Sequence, residues 1–98
     1  MQFTNDTEKL MKQLYKDFLE KKKANQNSPN SFPSPSNIDD ISDNIDELED
    51  AGYLITNIDY SFDLQPTFIA FMENRYKNKA WEIIDKSTDI IAKFVSPL

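Results

Sequence analysis

Apolar residues recur at helical spacing through the middle of the chain, from Ser36 to Ile55. Ser36, with Asp39 three residues later, predicts the N-terminal cap of a helix. Gly52 is the only glycine in the chain, and it fits the left-handed position that follows a helix. The buried stripe of this helix is predicted to comprise Ile38, Ile41, Ile45 and Leu48. We expect the rest of the chain to pack around it.

A second amphipathic pattern precedes this helix and predicts another one over Asp6–Lys23, with Asn5 and Glu8 as its capping box. Lys21–Lys23 suit the negative end of its dipole. The segment Asn25–Ser36 contains three prolines and predicts a flexible loop, pinned to the core by its one large apolar residue, Phe32. The apolar face of the first helix is predicted to contain Leu10, Met11, Leu14, Tyr15, Phe18 and Leu19.

After Gly52 the period changes from that of a helix to that of a strand. Tyr53–Ile55 predicts a short strand. Ile58–Leu64 alternates apolar with polar residues, which is the period of a half-buried strand. The buried side of this second strand is predicted to carry Ile58, Tyr60, Phe62 and Leu64. A two-stranded ribbon and one bent strand both fit the pattern.

Two more helices are predicted towards the C-terminus. Pro66 suits the first position of a helix over Pro66–Asn74, and a second helix is predicted over about Asn78–Val95. The 98 residues form one domain on this interpretation. Its predicted class is α+β, mostly α, with a short β-ribbon and C-terminal amphipathic helices.

The order of these elements resembles a winged-helix domain. The residues that carry the resemblance are Ile41, Ile45, Leu48, Gly52, Tyr53 and Leu54. More narrowly, the chain is similar to the YjcQ-like small proteins of Firmicutes and their phages, through Phe68–Asn74 and Trp81–Phe94. It departs from that pattern in its short wing segment and in Phe68, where a glycine is usual. The resemblance implies a winged-helix-like fold, a dimer and a phage or mobile-element origin, but that family is largely without assigned activity.

The distribution of charge says more about function than the predicted fold does. The net charge is −6, but Asn37–Ala51 alone holds seven acids and no base. A helix of this sign is repelled by nucleic acid, whose attraction to proteins is chiefly electrostatic. We therefore predict a non-catalytic accessory or regulatory protein-interaction module. Its acidic helix either meets a basic protein partner or simply keeps a small protein soluble. The predicted contacts are Asp39, Asp43, Asp46, Glu47 and Asp50.

Other functions stay open. A transcription regulator could touch DNA through basic patches, namely Lys21, Lys22, Lys23, Arg75, Lys77 and Lys79. An acidic inhibitor could instead bind a nucleic-acid-handling protein. The apolar band of the last helix suggests a homodimer with an interface of Trp81, Ile84, Ile91 and Phe94, although the same band could cover the first helix within one chain.

Catalytic and metal chemistry find little support in the sequence. The chain has no histidine and no cysteine, so it lacks the usual proton shuttle and the usual zinc ligands. A single glycine excludes a glycine-rich phosphate loop. We expect no cofactor, no metal and no enzymatic activity. The N-terminus does not read as a signal peptide and no apolar run is long enough to cross a membrane, so a cytoplasmic protein is expected.

Overall fold

The computed structural model describes residues 3–77, which form a small α+β domain with three helices and a three-stranded antiparallel sheet. The sheet order is β1-β3-β2. In chain order the elements are α1 (Asn5–Lys23), β1 (Ser31–Phe32), α2 (Ile38–Asp50), β2 (Leu54–Thr56), β3 (Phe62–Leu64) and α3 (Pro66–Arg75). The helix predicted over about Asn78–Val95 lies outside the described residues, as do Lys79 and the four predicted interface residues Trp81, Ile84, Ile91 and Phe94.

The core lies between the helices and one face of the sheet. Its side chains come from all six elements. The predicted stripes of α1 and α2 are buried there except for Leu19 and Ile38, which are only partly buried against the core. Phe32 and Phe62 stack with their ring centroids 5.7 Å apart. Burying one large apolar side chain contributes roughly 1.5–3 kcal/mol, so this aromatic pair ties the proline-rich segment firmly to the sheet.

The role predicted for Phe32 is confirmed, because it is only 2% exposed. The expectation that Asn25–Ser36 has no regular structure is wrong at one point. Ser31 and Phe32 form β1, which pairs with β3 in antiparallel register. None of the three prolines of this segment occupies β1, so both of its residues keep the backbone N–H and the freedom that a strand requires.

Helix ends follow the predicted chemistry but use neighbouring residues. Thr4, rather than Asn5, caps α1 by accepting a hydrogen bond from the Thr7 backbone N–H. Asn37, rather than Ser36, is the N-cap residue of α2, and its side chain makes no capping hydrogen bond. Adjacent Thr, Asn and Ser residues are all good caps, so the sequence does not choose between them.

Gly52 ends α2 as predicted, with a backbone φ of 76°. The Tyr53 N–H donates to the Leu48 carbonyl and the Gly52 N–H to the Glu49 carbonyl, which is the Schellman arrangement. Asn25 plays the same part after α1, with a φ of 58°. Both helices therefore stop where a left-handed residue reverses the chain.

The predicted strand Ile58–Leu64 is only half a strand. β3 begins at Phe62, and residues 57–61 form the turn that joins it to β2. The ribbon is thus the correct alternative of the two. Ile58 and Tyr60 were expected on the buried side, but the first is fully exposed and the second is 61% exposed. The turn forms because Asp59 and Ser61 bond locally instead of continuing a ladder.

Candidate partner-binding surface

The outer face of α2 carries a concentrated negative charge. Its five aspartates are exposed: Asp39, Asp40, Asp43, Asp46 and Asp50. Within residues 3–77 no ion pair involves any of them. The buried stripe of Ile41, Ile45 and Leu48 fixes this orientation, because it holds the opposite face of the helix against the core.

Glu47 differs from its neighbours because its carboxylate is used inside the molecule. The Thr7 hydroxyl donates to Glu47 Oε2 over 2.5 Å, and the Thr4 N–H donates to Oε1 over 3.4 Å. Asn44 completes the network by donating to Thr7 Oγ1 over 3.0 Å. The carboxylate therefore joins α2 to the positive N-terminus of α1. Its predicted contact with a partner stays a prediction, but its oxygens already have donors.

The hydrogen bond from the Thr7 hydroxyl is the main cause that lowers the pKa of Glu47 from its usual value, with the Thr4 donors adding to it. Partial burial acts in the opposite direction. The Thr7 hydroxyl itself lies in a fully buried residue. The network is therefore a structural link between two helices that holds Glu47 in its ionised form.

Charged side chains also cover both edges of the sheet. The hydrogen-bonding register of β2 turns the Thr56 N–H away from β3, and Glu49 Oε2 accepts it over 3.3 Å. On the other edge, Lys21 Nζ donates to the Ser31 carbonyl over 2.6 Å. Edge strands with free backbone groups invite pairing with another chain, so these two contacts protect the sheet.

The basic residues proposed for nucleic acid are only partly available. Besides its bond to β1, Lys21 lies over the Phe32 ring, 4.0 Å from the centroid, and burial lowers the pKa of its ammonium group. Arg75 forms an ion pair with Glu8 and lies 4.6 Å from the centroid of the Phe71 ring. Lys22, Lys23 and Lys77 are exposed.

These basic residues do not form one patch. Arg75 pairs with Glu8 in the first turns of α1, whereas Lys21 belongs to its last turn. Thirteen residues of helix separate the two positions, which is about 20 Å at 1.5 Å per residue. The proposed basic residues that the structure describes therefore lie towards opposite ends of α1.

The acidic surface extends beyond α2. No lysine or arginine occurs between Ala24 and Asn74, a stretch that holds ten acids. Glu49 brings the C-terminal part of α2 against β2, so the helix and the hairpin lie side by side. Asp59 stays ionised at the hairpin tip, because the hydrogen bonds from the Ser61 hydroxyl and N–H lower its pKa. Negative charge is therefore present both on α2 and on the hairpin that lies beside its C-terminal part.

The hairpin tip adds exposed apolar side chains to this acidic side. Within residues 3–77 the exposed large hydrophobic residues are Ile58, Tyr60 and Ile55, and all three belong to β2 or to the turn that follows it. The sequence interpretation missed this cluster, because alternation had placed two of the three in the core. A signal was present nonetheless: Asn57, Asp59 and Ser61 are strong turn formers at the alternate positions.

A shallow groove of about 520 Å³ lies beside the turn. Asp59 and Asp63 supply its charge, Ser31 and Asn57 supply further polar groups, and Pro33 forms part of its apolar wall. The Ser31 hydroxyl donates to Asp63 over 2.6 Å. No lysine or arginine from the described part of the chain lines the groove, so it suits a positively charged occupant.

The structure offers no arrangement typical of a metal centre in the part of the chain that it describes. No three carboxylates between residues 3 and 77 converge closely enough to hold an ion. None of the helices in the same range combines the length and apolar character that a bilayer crossing requires. Comparison of the chain with protein families, with characterised proteins and with solved structures finds no match.

Proposed function

We propose that this chain is a non-catalytic protein-interaction module that binds a basic protein partner through the exposed aspartates of α2. The observation that carries the proposal is the division of the α2 acids. Glu47 and Glu49 have donors inside the domain, whereas Asp39, Asp43, Asp46 and Asp50 are exposed and form no ion pair with any residue between 3 and 77. Such a surface favours a complementary positive one and gives fast, salt-dependent association.

A winged-helix-like fold belongs to the same proposal. The order of the elements supports it, since a short strand lies between α1 and α2 and a hairpin follows α2. The sheet order β1-β3-β2, with β3 in the middle, supports it as well. With the YjcQ-like resemblance, this fold suggests a cytoplasmic regulatory protein of phage or mobile-element origin that pairs through its terminal helix.

Reversal of two α2 charges tests the binding surface. The variant D43K/D46K is compared with E20K/E73K, which changes the net charge equally but at exposed positions on α1 and α3. The probe is a fluorescein-labelled peptide of alternating lysine and serine, followed by fluorescence anisotropy. We expect wild type and E20K/E73K to bind it with an affinity that falls as salt rises, and D43K/D46K to bind at least about tenfold more weakly, a factor that corresponds to about 1.4 kcal/mol.

Equal weakening by the two variants would refute the proposal, because net charge rather than the α2 surface would then control binding. A labelled DNA duplex provides the second arm. Binding of the duplex by wild type at low salt, lost in K22E/K77E, would favour the DNA-binding regulator. The inhibitor alternative predicts instead that the chain displaces DNA from a basic nucleic-acid-handling protein, and that D43K/D46K does not.

A further inference from the structure

We propose that the hairpin tip is a second contact point for the same partner, and that it takes an aliphatic or aromatic residue flanked by lysine or arginine. This proposal rests on the function proposed above. It concerns Ile58 and Tyr60 together with the acidic groove beside them. The occupant is thus an extended basic segment of a protein, not a nucleic acid.

Exposure is the first argument. Ile58 is fully exposed and Tyr60 is 61% exposed, while the large side chains on the other face of the same hairpin, such as Phe62, are completely buried. A turn needs no apolar residues at such positions, since polar ones meet its conformational demands better. Clustered exposed apolar side chains beside polar groups are typical of interaction sites.

Order in the turn is the second argument. The Asn57 N–H donates to the Ser61 carbonyl over 2.8 Å, and the Tyr60 N–H donates back to Asn57 over 3.0 Å. The Asp59 carboxylate accepts from the Ser61 N–H over 3.0 Å. Tyr60 is held with a φ of 65°, a region that bulky residues rarely adopt. The tip is therefore preorganised, which lowers the entropy cost of binding.

Charge complementarity selects the occupant. Asp59 lies between Ile58 and Tyr60 in the chain and lines the groove together with Asp63, and no cation of residues 3–77 lines it. The C-terminal part of the acidic helix α2 lies beside the same hairpin through the contact between Glu49 and Thr56. A phosphate backbone would be repelled on every side, whereas a lysine or arginine next to an apolar residue would find a carboxylate beside an apolar contact.

The test uses two labelled peptides of alternating lysine and serine, one with Leu-Leu at its centre and one with Ser-Ser. Wild type is expected to bind the Leu-Leu peptide at least fivefold more tightly. The variant I58S/Y60N is expected to bind both peptides equally and with the affinity that wild type has for the Ser-Ser peptide. Asparagine is chosen because it tolerates the left-handed backbone, and both sites are exposed, so the fold is retained.

Methyl NMR of isoleucine locates the contact. The Leu-Leu peptide is expected to shift the Ile58 signal while those of the buried Ile41 and Ile45 stay in place. An unchanged Leu-Leu preference in I58S/Y60N, or an Ile58 signal that does not move, overturns the hairpin proposal. The α2 proposal stands in that case if D43K/D46K still weakens both peptides, and it fails separately if D43K/D46K leaves both affinities unchanged.

Discussion

Gly52 offers a direct measure of how much the end of the acidic helix depends on one backbone conformation. The substitution Gly52→Ala adds a single Cβ at a φ of 76°. That atom would have no neighbour within 4 Å among residues 3–77, so none of them must move to admit it. The whole effect then comes from the conformational preference of the residue itself.

The expected loss of stability follows from two opposing contributions. The left-handed conformation costs an L-residue about 1–2 kcal/mol relative to glycine. Alanine also restricts the unfolded chain, which offsets roughly 0.4–1 kcal/mol of this cost. We therefore expect the free energy of unfolding to fall by about 1 kcal/mol. Gly52→Asn should lose less, because asparagine visits this region more readily than alanine does.

Urea unfolding followed by far-ultraviolet circular dichroism measures this loss. For a small domain with a slope of about 1–3 kcal/mol per molar urea, the midpoint should fall by roughly 0.3–1 M. An unchanged midpoint in Gly52→Ala would show that the helix end adapts without the left-handed residue. A loss above about 3 kcal/mol, or a larger loss for asparagine than for alanine, would show that steric contacts and not backbone preference set the cost.

Three further predictions concern charged side chains that the fold uses internally. The folded-state pKa of Glu47 lies below its unfolded value, so its contribution to stability is present above the unfolded pKa and is lost as pH falls through the folded one. Wild type should thus lose more stability than Glu47→Gln in urea titrations between neutral and acidic pH, and parallel curves would contradict this. Lys21→Met should lower the free energy of unfolding by about 1 kcal/mol, because it leaves a β1 carbonyl without its donor, whereas Lys22→Met should change it by less than about 0.5 kcal/mol. Glu49→Ala uncovers the edge of β2 and should promote association at high protein concentration, measured by light scattering, whereas Asp50→Ala removes the same charge without uncovering the edge and should not. Equal association of these last two variants would show that lost charge, not the open edge, is responsible.

The helices could be predicted from the sequence because their signals agree with one another. Apolar periodicity set the buried faces of α1 and α2, and Pro66 and Gly52 marked a beginning and an end that the structure reproduces. Local propensity and tertiary packing favour the same conformation in these segments. Boundaries moved by one or two residues, and at the starts of α1 and α2 this is because neighbouring residue types are equally favoured as caps.

The hairpin could not be predicted in the same way. Alternation runs unbroken from Ile58 to Leu64, yet only its second half pairs as a strand. The polar members of the alternation, such as Asp59, are residues that compete with a ladder by bonding to nearby backbone groups. A period of two shows that apolar and polar residues alternate. It does not show whether the polar residues form hydrogen bonds across a sheet or within a turn.

The internal role of Glu47 was equally hidden, because its donors lie about forty residues away in the chain. The seven acids of this segment have similar neighbours in the sequence, which offered no reason to treat Glu47 differently from the others. The contact forms only because α1 begins beside α2 in space. The sequence therefore predicted the candidate surface as one face of a helix. Only the structure shows which of its acids accept hydrogen bonds inside the domain and which are exposed.

That division follows side-chain length. α2 contains two glutamates, Glu47 and Glu49, and both reach a backbone N–H of another element. Its five aspartates, whose side chains are shorter by one methylene group, are all exposed. One extra methylene group lets a carboxylate span the distance from α2 to α1 or to β2. Substitutions at the two kinds of acid on this helix should thus have different effects. Changes at the glutamates should alter stability and edge protection. Changes at the aspartates should alter binding while leaving the unfolding midpoint almost unchanged.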